Sequence, residues 1–314
     1  MSVTKIPTTN MTHEEWLEQR RKSIGGSDAG TVLGLNKYTS PYALWAEKTG
    51  KMIPEDISDK EAVRLGNDLE DYVAKRWMEA TGKKLRKDNH IYYNSDYPFA
   101  HANIDRAVVG EDAGFEAKTT SSWDILQQCR EGNYPDTWYS QIVHYMMVTG
   151  KSKWYLGVLC LGKGFYHFEI ERDEAEIKAL AETEESFWGK VTNNIPPEVD
   201  GTESTTEALK TILGDSSPKA IDLGGVSNYL YQYRHAKEQV DRLNEALEDC
   251  KNHIMQYMGD AEKGSFGNMS VSFKTQTRKT FDRKAFEEAN GKISDNYFKV
   301  SSSRPFKVTI KEEK

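Results

Sequence analysis

Two short segments constrain this chain most: Ile104-Asp105 and, with ten residues between Asp105 and Glu116, Phe115-Glu116-Ala117-Lys118. Ala107-Val108-Val109 follows Asp105 and Gly114-Phe115 precedes Glu116, so the charges interrupt runs that otherwise read as buried strand. Side chains on a strand alternate between faces, which puts Glu116 and Lys118 on one face and turns Ala117 away. With Asp105 on the neighbouring strand, two carboxylates and one ammonium converge. A buried carboxylate without a partner is costly, and a metal ion is one partner that removes the cost. Carboxylates with few nitrogen ligands suit a hard cation such as Mg²⁺, while a lysine can orient or deprotonate an attacking water. Glu-x-Lys on an exposed strand is also a common solvated pair, so the rest of the chain has to decide.

The first half alternates helical and strand patterns. Helices are expected over Thr12 to Lys22, over a short segment from the Gly25-Gly26-Ser27-Asp28 turn to Leu33, over 41–49, over roughly 60–81, over about 135–149 and from Glu174 to Val191. Strands are expected near 84–93, 103–109, 113–119, 153–160 and 165–171. This order predicts an α/β (α+β) fold with a mixed central sheet flanked by helices. It gives a first domain over 1–195. Asn194-Ile195-Pro196-Pro197 ends the last helix, and the acidic, Thr- and Ser-rich stretch 196–224 reads as a linker.

Residues 225–314 read as a C-terminal extension: a long helix followed by a small, basic, β-rich α+β tail. Val226, Tyr229, Tyr233, Ala236, Val240, Leu243, Leu247, Cys250, Ile254 and Tyr257 are spaced 3-4-3-4, a heptad stripe over more than four repeats. Such a helix can pair with another chain or lie along its own domain. A strand is expected over 269–276, a helix near 283–290 after Thr280-Phe281-Asp282, and extended chain over 297–310.

The chain has 314 residues, enough for one large core or two domains. It carries 37% hydrophobic and 29% charged residues at a mean hydropathy of −0.73, with no apolar run near eighteen residues, so no membrane span is expected. No charged-then-apolar leader opens it, and Cys129, Cys160 and Cys250 lie far apart without a CxxC. They read as reduced core residues of a cytoplasmic protein. The net charge of −7 is unevenly spread, at −10 over 1–224, −2 over 225–263 and +5 over 264–314. A protein that acts on nucleic acid needs only a local positive groove, so net acidity does not exclude one.

Several other chemistries fall away. Thr149-Gly150-Lys151-Ser152 has Tyr145 where a phosphate-binding loop needs its first glycine. The seven histidines include no HExxH or paired Cys/His spacing, and no Gly-x-Ser-x-Gly is present. Four clustered cysteines for an iron–sulfur centre are missing as well. Three further groups stand beside the central one. Glu70 lies next to the apolar i, i+4 positions Leu69, Val73 and Trp77, and Gln141 lies on an aromatic-rich helix. Arg20 and Ser27 could hold a phosphate beside a helix N-terminus. Each of these has a plain alternative as a solvated side chain or a cap.

Taken together, the segments resemble the YqaJ-type viral recombinase family, relatives of phage lambda exonuclease in the PD-(D/E)xK nuclease superfamily. The matching stretches run in family order: Arg20 to Asp28, Gly66-Asn67-Asp68-Leu69-Glu70, His101 to Arg106, Phe115 to Lys118, Gln141 to Tyr145 and Phe187-Trp188. The resemblance implies a restriction-endonuclease-like core and a 5′→3′ exonuclease on double-stranded DNA ends that leaves 3′ single strands for annealing recombination. It implies Mg²⁺, with Mn²⁺ as a substitute, held by Asp105, Glu116 and the Ala117 backbone carbonyl. Lys118 would act on the water, Glu70 and Gln141 would complete the polar ring, and Arg20, Ser27 and Asn103 would form the 5′-phosphate pocket. Asn103 departs from the lambda enzyme, which has a serine there. A ring-shaped homo-oligomer such as a trimer, a single-strand annealing partner and a bacterial or phage-infected host cytoplasm are implied too. The tail, with Lys274 to Asp282, Lys284-Ala285-Phe286 and Ser303-Arg304, resembles an extension of many phage and prophage members. A PD-(D/E)xK endonuclease of resolvase or restriction type, and a non-catalytic DNA-binding or oligomerising protein, are the competing readings.

Overall fold

The computed structural model describes residues 2–54 and 56–299, in two compact units divided between Gly214 and Asp215. The first unit opens with β1 (Val3–Pro7), α1 (His13–Arg21), α2 (Gly26–Val32), α3 (Pro41–Lys48) and α4 (Glu61–Thr81). Local chemistry sets these limits. Thr12 caps α1 through a reciprocal bond pair with Glu15, and Ser40 caps α3 directly before Pro41. In α2 the cap is Gly25, whose N–H donates to the Asp28 carboxylate at 3.0 Å, so the helix begins inside the Gly-Gly pair rather than after it.

Next come β2 (Leu85–Lys87), β3 (His90–Asn94), β4 (His101–Asn103), β5 (Arg106–Val108), β6 (Ala113–Thr120), α5 (Trp123–Arg130) and α6 (Asp136–Thr149). The unit closes with β7 (Lys153–Cys160), β8 (Gly164–Glu171), α7 (Glu174–Thr192) and α8 (Glu203–Leu213). The central sheet has the order β2-β5-β6-β7-β8, in which β6 and β7 are parallel and the other pairs antiparallel. A parallel pair needs a crossover, and α5 and α6 supply it. A second sheet, β1-β3-β4, lies apart from it. The segment expected as one strand over 84–93 is therefore two: the chain leaves one sheet after Lys87 and enters the other at His90.

β7 is buried along seven of its eight residues, as a central strand covered on both faces should be. On one face, Val73, Ala74 and Trp77 of α4 pack against Phe115 and Tyr155; on the other, α6 buries Ser140 to Val148 without interruption. Alternation along β6 sends Ala113 and Phe115 to the α4 side. Thr149-Gly150-Lys151-Ser152 is the end of α6, with Gly150 in the left-handed conformation at φ 74°.

The expected linker 196–224 is corrected in part. Its residues 203–213 form α8, capped by Thr202, and Thr205 Oγ1 donates to Ser40 Oγ at 2.8 Å in a buried contact with the start of α3. Ala208 is fully buried, so the helix belongs to the first unit.

The second unit contains α9 (Ser227–Met258), the hairpin β9 (Lys263–Phe266) and β10 (Met269–Ser272), and α10 (Arg283–Asn290), capped by Asp282. The strand expected over 269–276 stops at Ser272, and Asp295–Tyr297 is a short 3₁₀ turn. Most of the extended segment expected over 297–310, and Ser303-Arg304, lie outside the described residues. Cys129 and Cys160 are buried and reduced, but Cys250 is exposed on α9, against the expectation that all three are core residues. Among the described residues no helix is long and apolar enough to cross a membrane.

Candidate active site

The register of β5 on β6 builds the site. Arg106 pairs with Phe115, so Asp105, one residue before β5, reaches the position opposite Glu116 without itself being in the strand. Its Oδ2 accepts a hydrogen bond from the Ala117 N–H at 3.1 Å. Glu116 is 3% exposed, and its Oε1 lies 2.7 Å from Lys118 Nζ and accepts from Gln141 Nε2 at 3.1 Å. Lys118 Nζ in turn donates to Gln141 Oε1 at 2.9 Å. One amide on α6 thus ties both charged residues of β6.

The electrostatics of this group are unbalanced. Burial, followed by repulsion from Glu116, pushes the Asp105 pKa up to about 7, against the pull of the Ala117 N–H and Lys118. Glu116 Oε2 is buried and, while Asp105 is ionised, has no hydrogen-bond partner among the described residues; only a proton on Asp105 gives the Glu116 carboxylate a further hydrogen bond. One lysine faces two carboxylates, and a carboxylate oxygen out of water is left unsatisfied. These residues open on a cavity of about 290 Å³ whose other wall is the first half of α4, with Gly66, Asn67 and Glu70.

Glu70 stands at that wall with its pKa raised, first by burial and then by Asp105. Arg106, whose side chain is 9% exposed, holds it through Nη2 at 2.9 Å and also pairs with Asp71. Arg106 closes the matching stretch His101 to Arg106 but has no role in the sequence expectation, because an arginine next to a predicted aspartate looks like an ordinary surface charge.

The Arg20 pair forms a second cluster. Arg20 Nη2 donates to Ser27 Oγ at 2.8 Å, and its guanidinium lies 4.6 Å over the Trp16 ring. Beneath them Lys48, 3% exposed, ion-pairs with Asp28 at 2.8 Å and donates to the carbonyls of Arg20 and Ser23 at 2.9 and 3.0 Å. Burial would raise the Asp28 pKa, but Lys48 holds it below the usual value. Lys48 spans the end of α1 and the start of α2, and nothing in the sequence marks it.

Tyr145 links the clusters. Its hydroxyl accepts from Gln141 Nε2 at 2.7 Å, and its ring stacks on Trp154. A Cβ at Gly26 would clash with that ring, so Gly26 is required for the turn to close on it. Burial, then Glu116 and Asp105, raise the Tyr145 pKa, while Arg20 lowers it, so both clusters act on one phenol. Asn103, the third expected member of the phosphate pocket, joins neither by a hydrogen bond: its Oδ1 is buried and unpartnered on β4. The chain ties β4 to the Gly-Gly turn two residues earlier, where the His101 N–H donates to the Ile24 carbonyl at 2.8 Å.

Among the described residues no three His, Cys, Asp or Glu side chains are gathered into a metal site. Asp105 and Glu116 nevertheless fit a hard cation, since they offer oxygen donors, surplus negative charge and an orphaned buried oxygen. Mg²⁺ commonly takes one or two carboxylates and keeps several waters, so a third side chain is not required.

Comparison with known proteins bears on the family and the fold. A family model described as YqaJ-like viral recombinase domain matches residues 15–152, a span that contains every candidate residue above. The uncharacterized protein YqaJ of Bacillus subtilis (strain 168) is 37% identical over 304 residues, covering 95% of this chain and 94% of its own. Among solved structures, LHK-Exo in complex with dAMP is 20% identical at a TM-score of 0.50, over 58% of this chain and 94% of that one. A second structure of LHK-Exo, an alkaline exonuclease from Laribacter hongkongensis, gives 19% identity and a TM-score of 0.49 over the same shares. At such identity the first of these likenesses, at a TM-score of 0.50, shows a shared fold.

Proposed function

This chain belongs to the YqaJ-like viral recombinase family, and from that premise we propose that it is a Mg²⁺-dependent 5′→3′ exonuclease acting on double-stranded DNA ends. The observation that carries the reading is the unbalanced pair Asp105 and Glu116, with one orphaned oxygen, beside Lys118 in an open cavity. Bound there by Asp105, Glu116 and the Ala117 carbonyl, Mg²⁺, or Mn²⁺ in its place, would supply neutralising charge and Lewis acidity toward a phosphodiester.

The chain's own groups account for the rest. Lys118, fixed by Glu116 and Gln141, orients the attacking water or takes its proton. Gln141 holds Lys118 and Glu116 in register through opposite ends of one amide. Glu70, placed by Arg106, supplies a further acceptor at the cavity wall. Arg20 and Ser27 offer a guanidinium and a hydroxyl to a terminal 5′-phosphate, and Asn103 lends an amide in place of a serine.

The product is a 3′ single strand, passed to a single-strand annealing protein in the cytoplasm of a bacterial or phage-infected cell. The family resemblance supports these last elements and a homo-oligomeric ring.

Digestion of linear duplexes labelled at the 5′ or 3′ end, beside closed circles, with Mg²⁺ or EDTA, tests the proposal. Early release of the 5′ label, intact circles and full inhibition by EDTA are expected. Early release of the 3′ label overturns the polarity, and rapid cutting of circles favours an endonuclease.

A further inference from the structure

α9 is 32 residues long, about 48 Å at the helical rise, and none of its residues is buried. The stripe from Val226 to Tyr257 nevertheless places an apolar or small residue at every a and d position. Leu243 and Leu247, near its middle, are 65% and 58% exposed, and Tyr257 at its end is 94% exposed. What sets the seam apart from the other exposed apolar side chains, such as Ile53, Phe266 and Phe281, is its regular spacing along one helix.

The period of the stripe decides what fits it. A strict seven-residue repeat drifts about 20° per heptad around a straight helix, so over more than four heptads it wanders roughly a quarter turn. A helix lying on a globular surface shows a broader face repeating every 3.6 residues. Only a partner that winds with the seam stays on it, and an identical helix in parallel has the matching knobs and holes at every layer.

The flanks agree with that pairing. In a parallel pair the g and e′ positions meet as Gln232 with Lys237, Gln239 with Asn244 and Ala246 with Lys251, so no like charges face each other. The acidic residues Glu238 and Glu245 fall on the outer face.

We propose that α9 is a self-association seam, forming a parallel, in-register coiled coil with α9 of a second copy of this chain. The seam is independent of the nuclease chemistry. It assigns the C-terminal unit to assembly rather than to DNA contact.

The test uses the full chain. Light scattering at micromolar concentration is expected to show an assembly whose mass falls in a variant carrying Leu243→Glu and Leu247→Glu. Both side chains are exposed, so circular dichroism and thermal unfolding of the first unit should not change. Glu245→Ala, on the outer face, should leave the mass unaltered. Parallel register also puts Cys250 against its counterpart at a d position, so mild oxidation should give a covalent pair that Cys250→Ser abolishes. A monomeric wild-type chain, an assembly indifferent to the two glutamates, or an assembly that yields no pair through Cys250 would each overturn the proposal.

Discussion

Two buried polar groups hang from the same helix and differ in one respect. Gln141 on α6 serves Glu116, Lys118 and Tyr145, and three residues later His144 bridges Glu184 and a backbone carbonyl. His144 and Glu184 are both 0% exposed and fully satisfied. Nδ1 lies 2.8 Å from the Glu184 carboxylate, and Nε2 donates to the His101 carbonyl at 2.8 Å. Both partners accept while Glu184 is ionised, so the contacts favour a doubly protonated imidazole. Burial alone would lower its pKa, but the Glu184 charge and these bonds raise it. The group around Glu116 is left open, with an orphaned oxygen and an aspartate near pKa 7. A closed buried pair holds the fold together, whereas an open one keeps capacity for a ligand.

The sharpest break between them should come from Lys118→Ala. Single-turnover digestion is expected to fall by about 10²- to 10⁴-fold, the usual worth of general acid–base assistance, with DNA binding by anisotropy nearly unchanged. Unaltered digestion would remove Lys118 from the chemistry.

At the closed pair the cost should appear as stability. Glu184→Ala strands a buried imidazole, and chemical denaturation is expected to show a loss of about 3–5 kcal/mol, with digestion per folded molecule retained. Because the folded His144 pKa is raised, its contribution is present in full below the ordinary histidine pKa and fades as pH rises through the folded value. In the variant burial loses its main opponent and lowers the folded pKa, so the pH dependence should reverse, with stability rising as pH rises through the ordinary histidine range.

Asp105→Asn should do the reverse. The folded pKa of Asp105 is raised to about 7 from 3.8, so its favourable contribution is full below the ordinary carboxylate pKa and gone above about 7. At pH 8 the amide is expected to raise the melting temperature by a few degrees without added metal, and to abolish digestion when Mg²⁺ is supplied. A lower melting temperature would mean that the carboxylate is satisfied after all. The smallest effect belongs to Arg20→Ala, which is expected to reduce the preference for 5′-phosphorylated over 5′-hydroxyl ends by about tenfold, the equivalent of one charge-assisted hydrogen bond.

The sequence made the open group visible and the closed one invisible. Asp105, Glu116 and Lys118 could be read because alternation on a strand is strict and charges in apolar runs stand out. Periodicity likewise marked α3, α4, β7 and α7. Glu184 and Lys48 sit among charged helix residues whose spacing says nothing about burial; only the packing of α7 on α6 and of α3 beneath the Gly-Gly turn hides them. Chain stretches that change sheets were also misread, as at Asp88, where the stretch expected as one strand serves two sheets. β1, a short and mostly exposed strand, lacked the hydrophobic signal that a single sequence offers; α8 carries one in Ala208, Leu209 and Ile212, but only after a Thr- and Ser-rich start that reads as linker.

The central claim is that the open carboxylate pair is a cation site, and calorimetric titration with Mg²⁺ tests it most directly. Run near pH 6.5 in buffers of different ionisation enthalpy, the wild-type chain is predicted to bind Mg²⁺ and release close to one proton, from Asp105. Glu116→Gln is predicted to lose that binding while remaining folded. Absence of binding in the wild type, or equal binding in the variant, would contradict the account.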